Sequence, residues 1–387
     1  MTHFVAILGL GLIAVAALWP LFALVIYPLW LTTRRQVAAV PDDDDSYAWP
    51  DVTAIVAARN AEAIVERKVR ELLGMDYPAD KLRVIVASDG STDATADIVR
   101  RIGDPRATVL DFKTHVGKTA AVNNAVAQAT GEVLAFSDVS TRWRSDSLKK
   151  MVRRCTAPGV GCACGRIVYI GGASDIADGF SIYQRFEIRL RDLVGGAGLL
   201  TSVSGAMHVV RKRHWRPIPE SLTADLVLPQ LVHIDGAGVV YVADAVGEET
   251  PRDSAKQEFR ARVRIATRSV QSAAWTVPQL LRAKRFAPVF VLLCHKVLRW
   301  SIWVPAAAFL VGSALLASSS LLWAVALVGQ LVVYVAGVLQ LQYGVRLLPG
   351  KLQAVAGYWT LAVAALALGT LRGLSGTTAA TRWNPED

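Results

Sequence analysis

Polar side chains follow an apolar run near the middle of the chain, where residues 133–136 are succeeded by Ser137, Asp138, Val139 and Ser140. In an open α/β sheet, ligands bind at the carboxyl ends of the strands. A carboxylate at such an end indicates a divalent metal or an anionic substrate, because Mg²⁺ takes oxygen ligands. The segment therefore predicts a ligand site with one carboxylate, Asp138, and one hydroxyl, Ser140.

Two more polar clusters follow apolar runs earlier in the chain. Residues 58–60 read Ala-Arg-Asn, and residues 88–93 read Ser-Asp-Gly-Ser-Thr-Asp. Asp89 suits a carboxylate that accepts hydrogen bonds from a base or a ribose, and Ser91 and Asp93 are predicted caps of the next helix. The same run is also a good strand-to-helix turn without any ligand, so the residues alone leave both interpretations open.

Two glycine-containing segments imitate nucleotide-binding motifs. Gly117-Lys118-Thr119 lacks the glycine that a phosphate-binding loop requires five residues before Gly117, since Phe112 stands there. The run GLGLIA at residues 9–14 lies inside a long uncharged stretch, where a dinucleotide site is not expected. Neither segment supports an ATPase or a dehydrogenase.

Apolar runs alternate with helical patterns over the region that contains the three clusters. Strands are predicted at 52–57, 82–87, 108–110 and 133–136, and helices at about 61–73, from Ser91 onward and at 118–129. Such alternation is typical of an α/β fold with a parallel sheet covered by helices. The three polar clusters should then converge on one edge of the sheet.

Long uncharged stretches flank this region. They run between His3 and Arg34, between Arg299 and Arg346, and between Lys351 and Arg372. A membrane-spanning helix needs about 20 apolar residues. We therefore predict one such helix at the N-terminus and, with a turn at residues 317–320, three near the C-terminus. A cleavable signal peptide is disfavoured, because the first stretch is too long and lacks a firm positive charge before it.

Arg34 and Arg35 directly follow the first stretch. By the positive-inside rule they place the middle of the chain in the cytoplasm, where its four cysteines should stay reduced. The predicted division is an N-terminal membrane helix at 1–33, an acidic linker at 34–50, a cytoplasmic domain at 51–250, basic interface helices at 251–300, three membrane helices at 301–372 and a tail at 373–387.

The net charge of +10 is concentrated in one segment. Eleven Lys or Arg stand from Arg252 to Arg299 against two acidic residues, directly before the C-terminal apolar stretches. Contact with anionic lipid headgroups explains this placement, and nucleic-acid binding is not expected because no recognised module accompanies it. Within the segment, residues 255–281 have helical spacing with an apolar side. They predict an amphipathic helix on the membrane surface or a helix packed on the α/β domain.

Five segments occur in the order, and at roughly the spacing, of the membrane-bound family 2 glycosyltransferases, which include cellulose, chitin-oligosaccharide and hyaluronan synthases. They are ASDGSTDAT, HVGKTAAVNNAVAQATGEVLAFSDVST, SGAMHVVRK, LTADLVLPQLV and QEFRARVRI. The chain resembles this family over about residues 50–300. The resemblance implies a cytoplasmic domain of the GT-A type that transfers a sugar from a nucleoside diphosphate sugar and inverts the anomeric carbon.

The resemblance also implies which residues bind the donor. Asp89 matches the residue that contacts uracil, which implies a UDP-sugar, and Asn60 and Lys118 match positions near the nucleotide. Asp138 and Ser140 match the Asp-x-Asp pair that holds a divalent metal, Mg²⁺ or Mn²⁺, on the diphosphate. In addition, Gln257 and Arg260 occupy the place of a Gln-x-x-Arg-Trp motif, where an arginine can pair with the departing diphosphate.

The acceptor side is implied by two further matches. Asp225 matches the family's general base, which must reach the acceptor hydroxyl, and Ser204 and Gly205 match the turn beside the acceptor sugar. The chain departs from the family pattern at four positions, which are Ala61 and Ala224 for Glu, Ser140 for Asp and Ala261 for Trp. The last departure removes the ring that stacks on the acceptor in processive members, so one or a few transfers become plausible.

The leading hypothesis is therefore an inverting membrane glycosyltransferase of the cell membrane that uses a UDP-sugar and extends a β-linked polysaccharide or oligosaccharide. A glycolipid synthase that transfers one sugar to a lipid acceptor is the alternative, and a non-catalytic part of a polysaccharide assembly is a third. Expected partners are the donor, a saccharide or lipid-linked acceptor, membrane lipids and, for export, a second copy or further proteins.

Overall fold

The computed structural model describes residues 2–37, 47–170, 175–250 and 255–376. Much of the predicted acidic linker and most of the predicted tail lie outside these residues. The described ranges contain eight strands, which are β1 (Val52–Ala58), β2 (Leu82–Asp89), β3 (Ala107–Phe112), β4 (Val133–Asp138), β5 (Arg142–Trp143), β6 (Val160–Tyr169), β7 (Met207–Arg211) and β8 (Gly238–Glu249).

The same ranges contain fourteen α-helices and two short π-helical turns, at Phe22–Ile26 and Leu293–Val297. The helices are α1 (Thr2–Leu21), α2 (Tyr27–Thr32), α3 (Val65–Leu73), α4 (Thr95–Ile102), α5 (Lys118–Gln128), α6 (Ser147–Cys155), α7 (Asp175–Gly196), α8 (Ala224–Ile234), α9 (Ala255–Arg282), α10 (Phe286–Leu292), α11 (Leu298–Trp300), α12 (Trp303–Leu316), α13 (Leu321–Tyr343) and α14 (Gly350–Leu374).

One sheet contains all the strands of the described residues, in the order β3-β2-β1-β4-β7-β6-β8-β5. Strands β1 to β4 are parallel, as the alternating pattern predicts. The whole sheet is nevertheless mixed, because β7 runs antiparallel to both β4 and β6. Strand β5 follows β4 without a helix between them and is only two residues long, and no strand was predicted after residue 136.

Two predicted helices begin about one turn late. Helix α3 begins at Val65 rather than near Ala61, and α4 begins at Thr95 rather than near Ser91. Asp93 stands one residue before the N-cap position of α4, which Ala94 occupies, and its Oδ1 accepts the backbone N–H of Thr95 at 3.0 Å. Ser91 does not cap α4, because its Oγ accepts the backbone N–H of Asn60 at 3.2 Å. The turns after β1 and β2 are therefore tied to each other.

The sheet is covered on both faces. Val52, Ala54 and Val56 of β1 pack with α3 in one buried cluster, whereas Ile55 packs with α5 in another. This alternation follows from the two-residue period of a strand. The four cysteines are free and buried, as predicted.

The N-terminal helices contribute to the second of these clusters. Tyr27 and Leu31 of α2 are fully buried in it, beside residues of the sheet. Phe4 and Ile7, which lie two dozen residues earlier, are each 70% exposed. The end of the N-terminal apolar segment therefore packs into the core of the sheet domain, a name we use for residues 52–249.

Three helices of the described residues are long and apolar enough to cross a membrane, at His3–Thr32, Leu321–Tyr343 and Gly350–Leu374. A fourth crossing arises only if Phe286–Trp300 and Trp303–Leu316, which are bent by 53° at their junction, count as one. The predicted turn at residues 317–320 is confirmed. Helix α12 alone is too short for the predicted membrane crossing, because its 14 residues span about 21 Å whereas a bilayer core is about 30 Å thick.

Helix α14 packs closely against α9. A Cβ atom at Gly369 would lie 2.6 Å from the Cβ of Ala266, and one at Gly373 would lie 2.7 Å from the Cβ of Val270. Glycines spaced by four residues allow two helix backbones to approach. The apolar side of α9 that was expected to face the membrane surface is therefore covered, at Ala266 and Val270, by another helix of the same chain.

Candidate active site

The polar ends of three parallel strands meet at one edge of the sheet, as the sequence predicts. Asp138 at the end of β4 stands in register with Ala57 of β1, and Ser88 at the end of β2 stands in register with Ala58. The side chain of Asp138 is 35% exposed, and that of Ser140 is exposed beside it. This edge is accessible to a ligand.

Lys118 is the first residue of α5 and reaches the end of β4. Its Nζ lies 2.5 Å from Oδ1 of Asp138, and 41% of its side chain is exposed. Gly117 precedes it with a φ of 93°, in the left-handed region that favours glycine. The turn at Gly117 thus aims the ammonium group along the strand ends instead of into solvent.

Asp225 lies in the first turn of α8, behind the turn that contains Gly205. A Cβ atom at Gly205 would lie 2.6 Å from Oδ1 of Asp225, so only glycine leaves the carboxylate its place. The backbone of this turn is fixed as well, because the N–H of Val203 donates to the carbonyl of Asp225 at 2.9 Å. The predicted acceptor turn and the predicted base are therefore neighbours.

The charges at this edge shift one another's pKa values in different directions. Burial raises the pKa of Asp225 above its ordinary value, although Lys118 acts to lower it. Burial also acts to raise the pKa of Asp138, but the charge and hydrogen bond of Lys118 hold it below its ordinary value. Two carboxylates with opposite shifts suit different roles, since the one with the higher pKa accepts a proton more readily.

Asp89, the predicted uracil contact, is 2% exposed and already has partners. Its carboxylate accepts the backbone N–H groups of Val116 at 2.7 Å and Gly117 at 3.1 Å. Nδ1 of His115 lies 2.9 Å from its Oδ2, outside hydrogen-bond geometry. Asp89 therefore holds the turn before Lys118, a role that the sequence did not indicate.

Asn60 adopts a φ of 46°, which is uncommon for a residue other than glycine. Its side-chain Oδ1 accepts the backbone N–H of Thr92 at 2.9 Å, and Oε2 of Glu62 accepts that of Ala94 at 3.0 Å. These two side chains join the turns after β1 and β2. Glu62, one place later than in the family pattern, thus caps a neighbouring turn.

The predicted donor contacts on α9 are not brought to this edge. Gln257 and Arg260 are exposed at the beginning of the helix, and within the described residues they make no hydrogen bond or ion pair with Lys118, Asp138 or Asp225. Ala261, which stands in place of the family's Trp, is 1% exposed.

Arg268, two turns further along α9, lies nearer to the base. Its guanidinium donates to the carbonyls of Glu220 at 2.8 Å and Ser221 at 3.4 Å, and its charge acts to lower the pKa of Asp225. Arg268 was not predicted from the sequence, where its spacing of eight residues, about two helical turns, from Arg260 is the signal that could have found it.

Two more residues near Asp138 were missed. His208 of β7 stands opposite Phe136 of β4, its Nδ1 lies 2.7 Å from the carbonyl of Ser204, and burial lowers its pKa to about 4. It is therefore neutral at pH 7. Lys68 is fully buried, with its Nζ 2.7 Å from the carbonyl of Thr141. His208 stands within the quoted run SGAMHVVRK, whereas nothing in the sequence marked Lys68.

A divalent metal fits this edge only with help from a substrate. No group of three His, Cys, Asp or Glu side chains that could hold a metal occurs among the residues with a described position. Asp138 supplies one carboxylate and Ser140 one exposed hydroxyl beside it. Mg²⁺ is commonly bound by one or two carboxylates together with substrate phosphates and water, so this donor set suits a metal that arrives with a diphosphate.

Comparisons with known proteins agree with this geometry. A sequence profile described as Glycosyl transferase family 2 matches residues 53–214, which contain β1 to β7. The chain is 29% identical over 145 residues to a beta-monoglucosyldiacylglycerol synthase of Synechocystis sp., a match that covers 34% of this chain and 30% of the relative. It is 33% identical over 110 residues to the succinoglycan biosynthesis protein ExoO of Rhizobium meliloti, covering 28% and 31%. The matches thus span under a third of these relatives.

One solved structure resembles nearly the whole chain. It is the mannosyltransferase PcManGT from Pyrobaculum calidifontis, in complex with GDP-Man and Mn²⁺, with a TM-score of 0.70 and 23% identity. The similarity covers 96% of this chain and 99% of that one, and it shows a shared fold, including the apolar helices. Residues 53–214, which form most of this GT-A type sheet, thus match the family 2 glycosyltransferases.

Proposed function

We propose that this protein is an inverting, membrane-associated glycosyltransferase that moves a sugar from a nucleoside diphosphate sugar, with UDP as the predicted nucleotide, to an acceptor hydroxyl. The observation that carries the proposal is the position of Asp225 against Gly205, next to the Lys118–Asp138 pair. A proton acceptor and an anion-binding cation thus stand on two sides of one sheet edge.

Asp225 is proposed as the general base. The acceptor oxygen attacks the anomeric carbon, its proton passes to the Asp225 carboxylate, and the bond from that carbon to the diphosphate oxygen breaks with both electrons leaving on the diphosphate. The raised pKa of Asp225 favours this step, because a stronger base takes the proton more readily.

The departing diphosphate requires positive charge. Lys118 can exchange its contact with Asp138 for a phosphate oxygen, and Arg268 is a second candidate because it lies near Asp225. Such charge-assisted contacts strengthen as negative charge develops in the transition state. Asp138 and Ser140 would hold a divalent metal, which when bound would neutralise charge on the diphosphate. We retain Gln257, Arg260 and Asn60 as predicted donor-side residues.

The buried Ala261 favours a single transfer over polymer synthesis. The side chain at position 261 is 1% exposed. Even a tryptophan at this position could not offer an open face to an acceptor sugar unless α9 or its neighbours moved. We therefore propose transfer of one sugar to a lipid-borne acceptor as the main activity. Extension of a β-linked polysaccharide, the leading hypothesis from the sequence, becomes the second candidate and is favoured by the succinoglycan-related match.

We further propose that the sheet domain faces the cytoplasm, at the cell membrane, as Arg34 and Arg35 suggest by the positive-inside rule. The apolar helices then anchor the protein and keep the active edge close to lipid acceptors.

The test is transfer from radiolabelled UDP-sugars and GDP-mannose by the full-length protein in lipid nanodiscs, with Mn²⁺ or Mg²⁺, followed by lipid extraction and sizing of the product. We expect a lipid-extractable product that carries one sugar. Asp225→Asn should lower kcat by about a thousandfold while donor binding is kept, because a general base contributes about 10²- to 10⁴-fold.

Three results would contradict the proposal. A long polymer as the product would show that the protein synthesises a polymer instead of transferring one sugar. Normal turnover by Asp225→Asn would show that Asp225 is not the general base. Absence of transfer with every donor and acceptor lipid tested, from protein that binds UDP, would favour a non-catalytic component.

A further inference from the structure

Charged side chains also meet at the junction between the N-terminal helices and the sheet domain. We call this set the junction cluster, and it consists of Tyr27, Glu187, Arg191, His295, Lys296 and Arg299. Glu187 of α7 pairs with Arg299 of α11, and its Oε1 lies 3.4 Å from Nε2 of His295. Nη1 of Arg299 also lies 3.4 Å from that nitrogen. Helices distant in sequence thus meet through one carboxylate.

The cluster has more positive than negative charge. Burial acts to raise the pKa of Glu187, but His295, Lys296 and Arg191 outweigh it and hold the pKa at about 2, so the group is ionised at pH 7. Against this one carboxylate stand three cations, Arg191, Lys296 and Arg299. Charges that are withdrawn from water are costly unless an opposite charge accompanies them. The excess charge is therefore suited to an anion.

Three polar atoms in the cluster lack partners. Oη of Tyr27 and Nδ1 of His295 are buried without a hydrogen bond, and the two side chains are 0% and 2% exposed. Nε of Arg191 is likewise buried and without a partner. Such orphaned atoms are uncommon, and each calls for an explanation such as a bound group.

His295 and Lys296 lie in the π-helical turn Leu293–Val297, and a second π-helical turn at Phe22–Ile26 immediately precedes Tyr27. Single π-helical turns inside α-helices are rare and occur frequently at functional sites. Both turns flank the same cluster, which supports a role beyond packing.

The cluster lies at the depth expected for lipid headgroups. The segment His3–Thr32 is 30 residues long, or about 45 Å, whereas a bilayer core is about 30 Å thick. Its first part is exposed, as expected for contact with lipid, and its last part enters the sheet domain. Between them, Nε1 of Trp19 donates to the carbonyl of Leu298 at 3.0 Å. Tryptophans are enriched at the membrane interface, so the adjacent cluster lies near that level.

A short path of contacts leads from the cluster to the proposed base. Nη2 of Arg191 donates to the carbonyl of Ser202 at 3.0 Å, and the N–H of the next residue, Val203, donates to the carbonyl of Asp225 at 2.9 Å. Gly205, in the same segment, abuts the Asp225 carboxylate. The cluster and the base therefore contact a single stretch of four residues.

We propose that the junction cluster binds the phosphate group of the lipid that carries the acceptor, with Lys296 and Arg191 as its main ligands. The inference rests on the proposed function and adds the chemical class of the acceptor. The phosphate is held at headgroup depth, and a hydroxyl of the group that it carries reaches Asp225. Tyr27 and His295 supply further hydrogen bonds to the phosphate oxygens.

The test is binding of radiolabelled hexadecyl phosphate to the full-length protein in detergent micelles, without any sugar donor. Competitors are hexadecanol, inorganic phosphate and UDP. Variants are Lys296→Ala, Lys296→Arg and, as a matched control, Lys351→Ala, an exposed lysine at the beginning of α14. We expect Lys296→Ala to weaken binding about tenfold, Lys296→Arg to restore most of it and Lys351→Ala to leave it unchanged.

Other outcomes would overturn the proposal. Equal binding by Lys296→Ala and Lys351→Ala would remove the cluster from phosphate recognition. Equal competition by hexadecanol would show that only the alkyl chain is recognised. Full competition by inorganic phosphate would indicate a free-phosphate site, and by UDP a donor site. Because no donor is present, a failure of sugar transfer would leave this result unaffected, so the two proposals fail separately.

Discussion

Opposite charges meet both at the sheet edge and at the junction cluster, and different structures hold them together. At the sheet edge, the side chains of Lys118 and Asp138 are 41% and 35% exposed and stand at the ends of regular elements. At the junction cluster, Arg299 and Glu187 are 21% and 19% exposed and join helices that are 112 residues apart in sequence. The first pair is free to exchange partners with a ligand, whereas the second also holds the fold together.

The largest effect is expected from breaking the second pair. Glu187→Gln should lower the free energy of unfolding by about 3 kcal/mol, because removal of one partner leaves a buried charge uncompensated. Thermal unfolding of detergent-solubilised protein measures it. Glu66→Gln is the control, since Glu66 pairs with Arg70 on the surface and should cost under about 1 kcal/mol. Equal losses in both variants would mean that the junction pair has no structural role.

At the sheet edge, Gly205→Ala should act on turnover instead of stability. The added methyl group meets the Asp225 carboxylate and turns it away, and a displacement of about 1 Å can lower kcat about a hundredfold. Steady-state kinetics with matched thermal unfolding separates the two effects. Gly329→Ala serves as the control, because a Cβ there meets nothing within 4 Å. An unchanged kcat in Gly205→Ala would mean that the reacting hydroxyl does not lie beside Asp225.

Lys118→Gln should move the acid limb of the pH profile of kcat/KM to higher pH. Lys118 acts to lower the pKa of Asp225, so its removal raises that pKa further. Because the base works only when ionised, activity is then lost at a higher pH as the solution is acidified. Lys113→Gln, which removes an exposed lysine, should leave the limb in place. An unshifted limb in Lys118→Gln would mean that another group controls it.

The smallest effect is expected from Ser140→Asp, which restores the family's second carboxylate. It should lower the Mn²⁺ concentration that half-saturates UDP binding several-fold, since carboxylates are strong ligands of hard cations. Ser145→Asp, at a second exposed serine, is the control for added charge. Equal metal dependence in both variants would exclude Ser140 from the metal site.

The sequence predicted the sheet edge well because local patterns determine it. Asp138 ends an apolar run and Lys118 follows a glycine, and parallel pairing then brings strand ends into register. The partners of Asp89 could not be predicted, since they are backbone N–H groups of another turn. Nor could the junction cluster, because Glu187 and Arg299 meet only through the packing of helices far apart in sequence.

The burial of Tyr27 and Leu31 within the sheet domain affects the order in which the protein can be assembled. Residues 2–33 leave the ribosome long before α7 and α10 exist, yet Tyr27 and Leu31 are buried in one cluster with side chains of both helices. A chain that begins at residue 47 would expose an apolar slot in water, so we expect it to aggregate. The end of the N-terminal segment is thus part of the core of the sheet domain, and efforts to produce a soluble form should retain residues 22–33.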